Sequence, residues 1–129
     1  MPAPIKTLEG HPVLSPVFIA EGAKALIGFM KDVFGAEEKA IYPGEGDKIA
    51  HAEVLIGGSM VMLCDPFDDF PVQTARIMLY VNDLDAVYKK GVAKGAKGLA
   101  EPKDETEYGM RVARLQDAWG NYWTLAQVL

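Results

Sequence analysis

Hydrophobic and polar positions along the chain switch between strand-like and helix-like spacing. Val13 to Ala20 is rich in β-branched and aromatic residues and predicts a strand. Pro16 interrupts that run, so the strand should lie at a sheet edge or start late. Glu21 to Phe34 predicts a helix, because Leu26, Phe29, Met30 and Val33 fall on one helical stripe. Gly35 follows the last periodic residue, where a C-terminal cap belongs. Tyr42 to Asp47 is turn chemistry. His51 to Ile56 and Ser59 to Cys64 predict two strands joined by a Gly57-Gly58 hairpin turn.

The pattern then starts again. Asp65 to Thr74 is a loop and Arg76 to Val81 a strand. Leu84, Val87, Tyr88 and Val92 outline a second amphipathic helix, begun after Asn82-Asp83 and capped by Gly95, with Gly91 weakening its middle. Glu101 to Gly109 reads as a polar loop. Arg111 to Leu115 and Tyr122 to Gln127 are strands around Asp117-Ala118-Trp119-Gly120. The halves overlay with a shift of about 60 residues. That shift superposes the caps at Gly35 and Gly95 and the strands beginning at His51 and Arg111.

Composition narrows the class without changing this picture. The 129 residues, half of them hydrophobic and 24% charged, suit a single globular domain over 1–129, with modules of about 13–74 and 75–129. A net charge of −5 and no Lys/Arg run argue against nucleic acid. No stretch reaches the roughly 20 apolar residues of a membrane span. The first ten residues, with Pro2, Pro4 and Gly10, read as a loose lead-in without a signal-peptide core. The lone Cys64, set in an apolar run, reads as a packed structural thiol and fits a reducing, cytoplasmic setting.

Four segments carry a family resemblance. They are Phe29-Met30-Lys31-Asp32-Val33-Phe34-Gly35-Ala36-Glu37, His51-Ala52-Glu53-Val54, Leu79-Tyr80-Val81-Asn82-Asp83-Leu84-Asp85-Ala86-Val87, and Tyr108-Gly109-Met110-Arg111 with Asp117-Ala118-Trp119-Gly120-Asn121-Tyr122-Trp123. In this order the chain resembles the glyoxalase/bleomycin-resistance/dioxygenase (vicinal-oxygen-chelate) superfamily, in a glyoxalase-like branch related to phosphonate-operon proteins. The resemblance implies an α+β fold in which two βαβββ modules form a curled half-open barrel, with helices on the convex face. It also implies ligands in the concavity and a homodimer, often with modules combined across chains.

Metal-dependent members place a His, Glu or Gln at four positions on the concave face. The motifs put those positions at Ser15, Met62, Arg76 and Thr124, none a good ligand, and a cationic Arg76 would repel a metal. The resemblance therefore implies that the family metal site is vacated and that no cofactor is needed. His51 and Glu53, two apart on a strand, share a face and are the remaining catalytic or metal candidates, with His11 as the only other histidine. Strand parity adds Met60, Met62, Met78, Tyr80 and Tyr122 to an apolar lining, with Arg76 and Arg111 placed to fork onto a carboxylate or phosphonate. Asp65, Asp68 and Asp69 read as a solvated acidic loop with Phe67 and Phe70 interleaved.

The leading expectation is a metal-independent small-molecule-binding protein whose ligand is partly apolar and anionic. One alternative is a metal-dependent lyase, isomerase or dioxygenase with a non-standard site around His51 and Glu53. Another is a dimeric scaffold with a filled barrel. Neither a nucleic-acid nor a membrane partner is expected.

Overall fold

A computed structural model describes residues 3–129; Met1 and Pro2, the start of the predicted lead-in, lie outside the described residues. Strand β1 covers only Val17–Ile19. It begins directly after Pro16, which has no N–H to give, while the Pro16 carbonyl accepts from Met62 N–H. Helix α1, Ala23–Phe34, buries Leu26, Phe29, Met30 and Val33 as the stripe requires, with Ala23 and Ile27 beside them. Gly35 ends it in the left-handed conformation, φ 69°, donating to Lys31 O, while Ala36 N–H reaches Met30 O.

The first hairpin follows the reading closely. Strands β3, Ile49–Ile56, and β4, Ser59–Cys64, pair antiparallel around Gly57 and Gly58, whose φ values of 55° and 87° suit a two-residue turn. Strand β2, Glu37–Pro43, was not expected, and its Tyr42 and Pro43 fall in the predicted turn. It is an edge strand exposed along nearly its whole length, so it shows no alternation to read.

The second module repeats the order. Strand β5 is Arg76–Tyr80 and helix α2 is Leu84–Ala93, the latter capped by the Asp83 side chain on Ala86 N–H. Strand β6, Lys97–Glu105, occupies much of the predicted polar loop, and a short 3-10 turn, Thr106–Tyr108, follows it. Pro102 is tolerated because β6 is an edge strand and its pairing is irregular between Ala100 and Lys103. Strands β7, Met110–Gln116, and β8, Tyr122–Val128, complete the sheet.

The sheets run β1-β4-β3-β2 and β5-β8-β7-β6, each with a parallel first pair and antiparallel remainder. Their helix-covered faces share one core. Phe18 of β1 stacks on Trp123 of β8 at 5.6 Å and 9°, and Phe34 packs on the same indole at 4.6 Å. Gly91 does more than weaken α2. A Cβ there would stand 2.6 Å from a methyl of the fully buried Leu115, so its absence lets helix and sheet approach.

The opposite faces of both sheets carry no helix. On them Val17, Met62 and Glu53 lie in cross-strand register, and so do Met78, Thr124 and Arg114. The structural counterpart of Glu53 is thus Arg114. The second module holds one more residue between its helix cap and this position than the first.

Candidate functional site

On the open face of the second sheet, Arg76, Met78 and Tyr80 alternate along β5 opposite Tyr122, Thr124 and Ala126 of β8. Arg114 of β7 lies beside Thr124. The Arg76 guanidinium sits over the Tyr122 ring, 4.2 Å from its centroid, which holds the cation in place without neutralising it. A hollow of about 230 Å³ is lined by Arg76, Arg114, Leu99, Tyr122 and Thr124. Neither arginine makes an ion pair among the described residues.

Arg111 is a correction. It lies on the helix-facing side with Ala113 and Leu115, both fully buried. Its Nε and Nη2 grip Asp85 of α2 at 2.9 and 3.0 Å, and Nη1 reaches Asp104 at 3.0 Å. Those hydrogen bonds hold the Asp85 carboxyl below the ordinary carboxylate range and push the guanidinium further up. Overlaying His51 on Arg111 erred by one residue, and one residue along a strand exchanges the two faces. The apolar pair Ala113 and Leu115 was the signal that could have found Arg114 instead.

The open face of the first sheet carries the other candidates. Glu53 stands between two imidazoles. His51 Nε2 lies 3.0 Å from Oε2, and His11 Nε2 lies 3.2 Å from Oε1. The lead-in is therefore not loose at this point. It crosses the open face and brings His11 to Glu53, with both side chains only 15% exposed. Among the described residues, no group of three His, Cys, Asp or Glu side chains is arranged to hold a metal ion.

The four positions that the resemblance marks carry no strong metal donor. Met62 and Thr124 present a thioether and a hydroxyl, Ser15 precedes β1, and Arg76 places a fixed cation there. The predicted methionines divide. Met60 and Met78 line a cavity of about 600 Å³ at the seam of the modules, whereas Met62 stays beside Glu53 on the first sheet. Tyr80 is 62% exposed on the open face.

Asp65 corrects the solvated-loop reading. It is 5% exposed; Oδ1 accepts from Gly22 and Ala23 N–H at the start of α1, and Oδ2 accepts from Ile49 N–H. Asp68 and Asp69 are exposed, and Phe67 stacks on Phe70 at 4.9 Å. Cys64 is buried, and burial, followed by the neighbouring Asp65 charge, pushes its thiol up. No described helix is long and apolar enough to cross a membrane.

Residues 16–125 match the model of the Glyoxalase/Bleomycin resistance protein/Dioxygenase superfamily. An uncharacterised protein of Mycobacterium bovis, Mb0911c, is 30% identical over 128 residues, spanning 91% of this chain and 84% of that protein. Among solved structures, TioX from Micromonospora sp. ML1 is similar with a TM-score of 0.70 at 22% identity, covering 90% of this chain and 99% of that one. A PhnB protein from Bacillus cereus has a TM-score of 0.68 at 18% identity, covering 91% and 100%. These two share the fold. The repeated modules, the open sheet faces and the match across most of the chain make this protein a member of the glyoxalase/bleomycin-resistance/dioxygenase superfamily.

Proposed function

We propose that the chain is a metal-independent binding protein for a small anionic molecule. Arg76 and Arg114 on the open face of the second sheet are its recognition pair. The observation that carries this reading is two arginines on one hollow with no carboxylate paired to either among the described residues. A planar guanidinium donates two parallel hydrogen bonds to a carboxylate or phosphonate. Arg76 is held by the Tyr122 ring, so little side-chain freedom is lost when the anion arrives. Thr124 offers a hydroxyl for a further oxygen and Leu99 an apolar wall.

A second copy of the chain is the natural cover for these faces. Tyr80 and Val17 are 62% and 43% exposed on them, apolar side chains that a second copy would take out of water. Sedimentation should return a dimer mass.

Titration calorimetry with a panel of simple carboxylates and phosphonates, without added metal and with chelator present, tests the binding role. Arg114→Gln should weaken the best binder at least tenfold, about the loss of one charged hydrogen bond. Arg111→Gln should leave it unchanged. Binding that needs a divalent ion, or that survives loss of both Arg76 and Arg114, refutes the assignment.

A further inference from the structure

The seam cavity of about 600 Å³ has a different chemistry from the arginine hollow. Leu14 and Pro16 of the lead-in form one wall, Leu55 and Met60 of the first hairpin a second, and Met78 of β5 a third. Trp123 also borders it, but its indole N–H is committed to Asp117 Oδ2 at 2.8 Å. The ring therefore offers apolar contact and no donor.

No Lys, Arg, Asp or Glu lines this cavity. It offers a charged group no partner for the water it would give up, which favours an uncharged occupant. The two methionines adapt to irregular shapes. Leu14 is 82% exposed and Met78 49% exposed, apolar groups that a ligand would take out of water. The volume falls within the range of about 300–1,000 Å³ common to small-molecule sites. One titratable side chain reaches the lining, His11. Its Nε2 faces Glu53, and its Nδ1 makes no hydrogen bond among the described residues.

The geometry points to a second ligand site at this seam, selective for an uncharged apolar molecule with one hydroxyl, such as an alkylphenol or apolar alcohol. The apolar body fills the space between Leu14, Met60 and Met78. The hydroxyl donates to His11 Nδ1, whose ring is steadied by Glu53. The lead-in is thus a structural wall of a binding site. This site is independent of the arginine pair, so it can exist whether or not anions bind there.

The test is calorimetric titration of the full chain with 4-propylphenol and with propylbenzene. One saturable phenol site is expected, with propylbenzene about tenfold weaker for want of one hydrogen bond. His11→Ala should abolish that difference. Leu14→Glu, a change at an exposed position, should weaken both by at least tenfold, and Arg114→Gln should alter neither. Lack of saturable phenol binding overturns the site, as does equal affinity for the two compounds. Indifference to Leu14→Glu overturns it too, as does a loss in Arg114→Gln matching the loss of anion binding.

Discussion

Replacing Asp65 by alanine should be among the most damaging changes available in this chain, although the residue sits at the head of an acidic loop. Its carboxylate is 5% exposed and takes three backbone N–H donors: Gly22 at 2.8 Å, Ala23 at 3.3 Å and Ile49 at 2.7 Å. Alpha1 has no side-chain cap of its own, because the residue at that position is Gly22. Losing a helix cap costs about 1 kcal/mol. Leaving a buried donor unpaired costs about 1–3 kcal/mol, and Ile49 has only 5% exposure to recruit water. The sum is roughly 2–4 kcal/mol, a large share of the 5–15 kcal/mol typical of a domain. Asp65→Asn should fall between, at about 2 kcal/mol, since its amide keeps one acceptor but turns a donor towards another donor. Urea unfolding followed by circular dichroism measures both, with Asp69→Ala as the exposed control within about 0.5 kcal/mol of the parent. An Asp65→Ala protein within 1 kcal/mol of the parent would refute the claim that this carboxylate ties the helix start to β3.

Gly91→Ala should destabilise by about 1 kcal/mol rather than stabilise. Helix propensity favours alanine by about 1 kcal/mol, but a Cβ 2.6 Å from Leu115 forces repacking worth about 1–3 kcal/mol; a raised urea midpoint would contradict this. Stability should also fall in acid through the Asp85–Arg111 pair. The folded-state carboxyl is held below its unfolded value of about 3.9, so its contribution is present above that pH and lost as pH drops through the lower folded value. Arg111→Gln should flatten that part of the stability-against-pH curve, and an unchanged acid limb would count against the pair.

What the sequence made legible follows from which residues face two environments at once. Both helices and the Gly57-Gly58 hairpin were readable because one side of each is buried and the other wet, which imprints a period. Strands β2 and β6 were not, since edge strands exposed along most of their length carry no such imprint and each contains a proline, Pro43 or Pro102. Among site residues, Arg76 and Tyr122 were placed on one face correctly by parity. Arg111 was misplaced because the module overlay ignored one extra residue, though Ala113 and Leu115 held the true parity. The approach of His11 to Glu53 joins residues far apart in the chain with no periodic signal between them. Only the folded path of the lead-in reveals it.

The start of each helix is fastened by a side chain from the end of its own module. Asp65 does this for α1 through Gly22, and Gln127 for α2 through Leu84, and both ties span 43 residues. Each module is therefore a ring closed at or just past its last strand, and the two rings have the same circumference. The entropy of closing such a ring depends on its length, so the two halves meet nearly the same chain-closure barrier. Neither half gains a head start from topology. What differs between them is the side chains, so any order of assembly must be written in the packing inside each half rather than in the path of the backbone.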